Sequence, residues 1–233
     1  MQEHAQRVMV IMAHPDDPEF FCGGTVAKWA KNGAEIIYVV ITNGNKGSND
    51  PQMTPEKLAV IREREQREAA RRLGVKEVIF LGYNDGELVP DLRLRGDLVR
   101  EIRCYRPDIV ICQDPTTYFW PGGGINHPDH RAAGEAALAA VFPLARDRLN
   151  FPEHEREGLK PHKVKEVYVS GTTQPDTWVD ISDTLEAKIQ AILAHQSQIK
   201  EPEKLAERIR ERAKQSEDGK PPIAEAFRKI VLP

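Results

Sequence analysis

The chain has 233 residues, of which 40% are hydrophobic and 30% charged, and 33 Lys+Arg against 36 Asp+Glu leave a formal charge of −3. That composition excludes a disordered or fibrous chain, and the near balance of charge argues against general nucleic-acid binding, which shows a clustered basic excess. The uninterrupted apolar runs Val8 to Ala13 and Ile36 to Ile41 have six residues each, and Ala136 to Phe142 has seven, all far short of the roughly 20 that a membrane-spanning helix needs.

In chain order, Met1 to Arg7 lacks the basic and apolar regions of a secretory signal. Three cysteines, Cys22, Cys104 and Cys112, form no C-x-x-C pair, which fits a reduced cytoplasm, and all three read as core residues. Short β-branched runs then predict strands at Arg7 to Ala13, Glu35 to Thr42, Glu77 to Leu81, Asp108 to Gln113 and Lys165 to Ser170. Helical patterns lie between them. Thr25 to Asn32 places Val26, Trp29 and Ala30 on one face and ends at Gly33 as a C-cap. Thr54 is the N-cap of the next helix, with Pro55 at its first position, and that helix runs to Gly74. Asp91 to Tyr105 carries Leu94, Leu98, Ile102 and Tyr105 at helical spacing, and Pro107 stops it.

A helix is expected from His130 to Val141, followed by a long surface connection over Phe142 to His162, with its three prolines. Two more helices are predicted at Ser182 to Gln198 and Pro202 to Ser216, the second charge-dense with mixed signs, as on a solvated face. The alternation predicts an α/β, Rossmann-like fold, a mostly parallel sheet flanked by helices with its site at the C-terminal ends of the strands. No repeat interrupts it, so residues 1–233 read as one domain with a charged helical extension from about 199.

Two polar clusters carry chemistry. The first strand runs directly into His14-Pro15-Asp16-Asp17-Pro18-Glu19, ahead of Cys22-Gly23-Gly24. One imidazole and up to three carboxylates after a buried strand are hard to explain by packing. The second cluster, Asn126-His127-Pro128-Asp129-His130, follows a loop with the tract Pro121-Gly-Gly-Gly and opens a helix. Two histidines and a carboxylate with open coordination positions suit a catalytic divalent metal, most simply zinc, although the same ligand count serves non-haem iron. After three ligands are taken, an adjacent carboxylate and a His-Asp pair remain. Those are the parts a metal-dependent hydrolase needs: a base for water and an imidazole for the oxyanion or the departing amine. Spacing does not decide which of Asp16 and Asp17 is the ligand; neighbours on an extended segment point oppositely, so one can face the metal while the other serves elsewhere.

These residues resemble the PIG-L or LmbE-like de-N-acetylase family, which acts on N-acetylglucosamine-containing compounds. The resemblance rests on Ala-His-Pro-Asp-Asp-Pro-Glu at 13 to 19 with Gly23-Gly24-Thr25, and on His-Pro-Asp-His at 127 to 130. Supporting pieces are Thr42-Asn43-Gly44, Arg62-x-x-Glu65 before Leu73-Gly74-Val75, Gly82-Tyr-Asn-Asp85-Gly86 and His195-Gln-Ser-Gln198, so it spans Arg7 to about Gln198. It implies that His14, Asp17 and His130 bind Zn2+, or another divalent metal such as Fe2+, and that Asp16 acts as general base. It further implies that His127 stabilises the oxyanion or acts as acid, oriented by Asp129, and that Arg62 and Asp85 contact the sugar. Asn84 departs from the family, where proline is more usual. The implied activity is removal of acetyl from an N-acetylglucosamine-type amino sugar or related small N-acetyl compound, giving acetate and a free amine. The resemblance also implies a homo-oligomer, a trimer or hexamer, while the charge balance, apolar runs and cysteines lead us to expect a cytoplasmic protein with no nucleic-acid or membrane partner. The alternatives are a metal-dependent hydratase or amidase for a non-sugar substrate on the same fold, and a non-catalytic zinc-binding protein.

Other candidates read more simply. Cys22 is a packing residue under the glycine turn and not a nucleophile. Asn43-Gly-Asn-Lys-Gly-Ser48 lacks the G-x-x-x-x-G-K-[ST] frame of a phosphate loop. His195 reads as a satisfied or surface histidine, with a reach into a neighbouring subunit's site as the rival reading from the resemblance. Tyr118 and Trp120 serve either as a platform for a sugar ring or as anchors for their loop.

Overall fold

The computed structural model describes residues 6–213, 221 and 223–233. Seven strands form one sheet in the order β3-β2-β1-β4-β5-β7-β6. Its parallel part comprises β1 (Arg7–Met12), β2 (Glu35–Thr42), β3 (Glu77–Tyr83), β4 (Ile109–Gln113) and β5 (Glu166–Ser170). Helices α1 (Asp17–Lys31), α2 (Pro55–Arg72), α3 (Leu92–Tyr105) and α4 (Pro128–Ala139) make the crossovers. Both faces of the central strands are covered, which is why β1 and β2 read as continuous apolar runs instead of alternating ones. Val8, Val10 and Met12 face the layer of α1 and α2, where they meet Val26 and Ala69. Met9 and Ile11 face the layer of α3 and α4, with Leu98, Ile102, Ala133 and Ala137. β1 lies between β2 and β4, so the chain winds in opposite directions from it and opens a crevice at its carboxyl end.

The predicted strands match these to within two residues. The helix expected from Thr25 begins at Asp17 and bends at Cys22, whose φ of −147° and ψ of 17° are not helical. The bend frees the amides of Gly24 and Thr25, and the buried Glu225 carboxylate accepts both, at 2.9 and 2.7 Å. Lys188 Nζ completes that carboxylate's shell at 2.6 Å. Gly24 is required here because a Cβ would meet Ile181 at 2.6 Å.

α4 starts two residues earlier than predicted, because Pro128 takes the first turn behind His127 as N-cap. It continues into a π-helical turn, Ala140–Leu144. The stretch expected as a surface connection is tied to the core: buried Arg103 donates to the carbonyls of Leu144, Ala145, Asp147, Asn150 and Phe151, and a short helix, α5 (Pro152–Arg156), follows. Cys22 and Cys112 are buried as expected, but Cys104 is exposed on α3.

β6 (Thr177–Asp180), α6 (Leu185–Ile192), α7 (Pro202–Ala213) and β7 (Ala224–Val231) complete the chain. α6 is shorter than the predicted Ser182 to Gln198. Asp180 Oδ1 turns Ser182 away at its start, and beyond it His195 and Ser197 are drawn onto other elements. The expected end of the last helix at Ser216 lies outside the described residues. Beyond the charged helix expected from about 199, the chain returns to the sheet as β7, antiparallel to both β5 and β6. β7 escaped the strand reading because one of its two buried positions is Glu225, so its alternation is only half apolar. No helix among the described residues is long and apolar enough to cross a membrane.

Candidate active site

Four loops converge at the carboxyl end of the sheet: 13–17 after β1, 43–47 after β2, 84–88 after β3, and the segment from the end of β4 to the start of α4. At the end of β4, Gln113 accepts from the Ala13 amide at 3.0 Å and donates to Asp17 Oδ2 at 3.0 Å. The His14 amide donates to the same Oδ2 at 2.8 Å. The Asp17 carboxylate is thereby folded back over the end of β1, against His14.

His14 Nδ1 lies 3.2 Å from Asp17 Oδ2, and His130 Nε2 lies 3.1 Å from Asp17 Oδ1. The ligand atoms of His14, Asp17 and His130 all fall within 4.8 Å of one another. The outer nitrogen of each imidazole is held: His14 Nε2 by Asp129 Oδ2 at 3.1 Å, and His130 Nδ1 by Asn126 Oδ1 at 2.9 Å. Imidazoles that bind metal through one nitrogen and engage an oxygen acceptor through the other have this arrangement. Burial would lower the pKa of His14, but hydrogen bonds to Asp129, Asp17 and Asp85 outweigh it and raise the value to about 12. Asp17 is held well below the usual carboxylate range, because the charge and hydrogen bonds of His130 and His14 overcome its burial. The pocket therefore stabilises positive charge, and its two imidazoles and carboxylate fit a divalent cation.

His14, Asp85 and His127 form a second close group, but the tautomer of His127 argues against its being a ligand. Its Nδ1 accepts the Asp129 amide at 3.2 Å. Burial, then the charge of His14, lowers its pKa. A neutral imidazole that accepts at Nδ1 carries its proton at Nε2, so His127 faces the site as a hydrogen-bond donor. The Asp129 contribution differs from the expected one. Its carboxylate does not orient His127; it accepts from His14 and from the amides of Gly86 at 2.7 Å and Leu88 at 3.2 Å. Its backbone N–H is the group that hydrogen-bonds His127.

Asp16 and Asp17 diverge because Asp16 is not on an extended segment. It stands at φ 92°, ψ −30°, as the N-cap of α1. Asp17 enters the helix toward the imidazoles, while Asp16 Oδ2 meets Arg62 Nη2 at 3.2 Å. Burial pushes the Asp16 carboxyl up to about 6; Arg62 opposes this and the charge of Asp17 adds to it.

Arg62 is buried on α2. It donates to the carbonyls of Gly44 at 3.1 Å and Pro15 at 2.6 Å, and its Nη1 stands 3.9 Å from Asp85 Oδ2. It thus clamps three of the four loops. Asp85 stands 3.2 Å from His14 Nε2, and its amide is held by Asn45 Oδ1 at 3.1 Å. Burial is outweighed by its hydrogen bond to His14, so its carboxyl is held down.

The remaining candidates are placed as follows. Cys22 donates its thiol to the Pro18 carbonyl, and burial pushes its pKa well up, so it offers no thiolate. Arg131 covers the exposed Tyr118 ring at 4.1 Å. Half-buried Trp120 packs 6.3 Å from Phe21, whose ring lies edge-on to His130 at 5.6 Å. Neither ring is buried away from the site. His195 is fully buried, with Nε2 3.1 Å from Glu19 Oε2 and Nδ1 left without a hydrogen-bond partner, so it is a core histidine tied at one nitrogen and does not extend toward a neighbouring subunit.

Sequence reasoning assigned no part to Gln113, Asn126 or Gln66. The available signals were a glutamine closing the buried run Ile109–Gln113 and an asparagine immediately before His127. Gln66 gives no signal, because only the fold brings α2 beside residue 16.

The profile of the PIG-L family, described as GlcNAc-PI de-N-acetylase, matches residues 9–141. The diacetylchitobiose deacetylase of Thermococcus kodakarensis is 36% identical over 196 residues, covering 84% of this chain and 71% of that protein. The probable N-acetyl-alpha-D-glucosaminyl L-malate deacetylase 2 of Bacillus anthracis is 29% identical over 224 residues, covering 93% of this chain and 89% of that protein. Among solved structures, the N,N'-diacetylchitobiose deacetylase of Pyrococcus horikoshii, complexed with its inhibitor MPG, superposes with a TM-score of 0.88 at 33% identity, over 98% of this chain and 85% of that one. The chain belongs to the PIG-L family.

Proposed function

Taking that membership as premise, we propose that the chain is a metal-dependent hydrolase that removes the acetyl group from an N-acetylglucosamine-type amino sugar or a related small N-acetyl compound, releasing acetate and a free amine. The observation that carries this reading is the pairing of a cation-stabilising cluster, His14, Asp17 and His130, with an independent carboxylate, Asp16, and an imidazole donor, His127. The relatives' N-acetylated amino-sugar substrates supply the substrate class.

His14, Asp17 and His130 hold the cation, with zinc first and ferrous iron second in fit to two imidazoles and a carboxylate. When bound, it supplies Lewis-acid polarisation of the acetamide carbonyl and activation of water. Asp16, with its carboxyl at about 6, is mostly ionised at neutral pH and takes the proton of the attacking water. His127 donates from Nε2 to the oxygen on which negative charge develops. Acting also as acid would leave it an imidazolate, so Asp16 returns its proton to the departing amine nitrogen. Arg62 and Asp85, beside the base, are assigned to sugar hydroxyls. Trp120, one ring removed from His130, is the better placed of the two loop aromatics to meet a sugar face.

The test is acetate release from metal-stripped protein, with and without added zinc or ferrous ion. The panel is N-acetylglucosamine, N,N'-diacetylchitobiose and an N-acetylglucosaminyl malate. Metal-restored release that Asp16→Asn abolishes is expected; no release from any sugar, with metal stoichiometrically bound, would transfer the reading to a non-sugar amide or a hydratase. We assign the protein to the cytoplasm and to a homo-oligomer, a trimer or hexamer, which sedimentation at working concentration checks.

A further inference from the structure

Behind Asp16 lies a row of buried polar side chains that the mechanism above does not use. Asp16 holds φ 92° without being glycine, a conformation an L-residue keeps only where its surroundings over-determine it. Its amide donates to Gln66 Oε1 at 2.8 Å. Gln66 Nε2 donates to Glu19 Oε1 at 2.9 Å, and Glu19 Oε2 faces His195 Nε2 at 3.1 Å. Gln66, Glu19 and His195 are each 0% exposed, so water does not replace any of these partners. One turn earlier on α2, Arg62 takes the Asp16 carboxylate and the Pro15 carbonyl. α2 therefore grips residue 16 by peptide and side chain together.

The direction of the Gln66 amide is decided from behind. A carboxylate only accepts, so Glu19 must meet the NH2 end, and the carbonyl end is left to face Asp16. His195 in turn fixes Glu19, and its segment is locked to α2 by Ser197, whose amide and hydroxyl donate to Glu65 at 2.8 and 2.6 Å. The His195-Gln-Ser-Gln198 segment, unused by the chemistry, is thus the far anchor of the row.

We propose that Gln66 is a positioning residue for Asp16, its amide oriented by the buried Glu19–His195 pair, and that this row holds the base at the reacting position. The proposal rests on the reading of Asp16 as general base. The experiment is a double-mutant cycle on the metal-loaded full chain: wild type, Gln66→Leu, Asp16→Asn and the double variant, each with kcat, KM and metal content measured. Gln66→Leu is expected to lower kcat about 100-fold, the cost of misplacing a reacting group by about an ångström, with KM and metal content unchanged. In the Asp16→Asn background the same substitution should change kcat little, since the group it positions is already gone.

An equal kcat loss in both backgrounds, an unchanged kcat, or a loss that tracks metal content would overturn the positioning role and leave the base assignment intact. A fully active Asp16→Asn would instead overturn the base assignment, whatever Gln66 does. If Gln66→Leu fails to fold, His195→Gln and His195→Leu read the same row: the first keeps a donor to Glu19 and should retain kcat, and the second should lose it. Equal rates for those two would also overturn the proposal.

Discussion

The two histidine-bearing loops reach the same pocket by opposite means. The 127–130 loop is a regular helix start: His127 caps α4, Pro128 takes the first turn, and His130 follows three residues on, which is one helical turn and one face. The 14–17 loop has no such regularity. Its geometry is imposed by Gln113, Gln66 and Arg62, each from a different position in the chain, and it contains a non-glycine residue at positive φ. A site assembled this way has one half that local sequence specifies and one half that tertiary contacts specify, and the two should fail differently under substitution.

The largest difference is expected within the 14–17 loop itself. His14→Ala should lose bound metal and, with it, all activity above background, and His130→Ala on the other loop should do the same. Asp16→Asn should keep metal, measured by elemental analysis, while kcat falls about 10²- to 10⁴-fold, the range for a general base. Metal loss in Asp16→Asn would erase the distinction between ligand and base. Next in size is His127→Ala, for which loss of an oxyanion donor predicts a fall in kcat of about 10²- to 10³-fold at unchanged metal content. A comparable fall in Asp129→Asn would have a different origin, through His14, and should appear first as weaker metal binding.

Smaller again is Asn126→Ala. Removing the acceptor of His130 Nδ1 should weaken metal affinity about 10- to 100-fold, read by competition with a chelator, and leave kcat at saturating metal close to wild type. The smallest effect on chemistry is expected from Gly134→Ala on α4, where a Cβ would stand 2.2 Å from the Gln113 carbonyl oxygen. Overpacking there should cost about 1–3 kcal/mol of stability, visible in denaturant melts, and should disturb the 14–17 loop through Gln113 more than it disturbs α4. An unchanged melt would show that α4 and β4 separate easily, and the two loops would then be less coupled than the geometry requires.

Legibility followed the same division. The central strands were readable because a run buried on both faces is apolar throughout, and α2 and α3 because Thr54 and Asp91 cap them, accepting from the amides of Lys57 and Leu94. β7 was not, because an inward Glu225 serves α1 in place of a core residue. The tail of the predicted Ser182 to Gln198 helix was misread because helix propensity is a weak prior, and the Glu19 and Glu65 carboxylates offered His195 and Ser197 better partners than another helical turn.

By itself the sequence determined the alternation of strands and helices, the place of both His-Asp clusters at strand-to-helix junctions, and, through those motifs, the family. These are local properties, written in periodicity, caps and contiguous residues. Only the tertiary structure decided that Asp16 and Asp17 diverge, that the Asp129 carboxylate serves His14, and that His195 is an interior anchor. Each of those depends on hydrogen bonds between residues tens to more than a hundred positions apart, and the partner of a buried polar group is chosen by whatever the fold brings within about 3 Å of it.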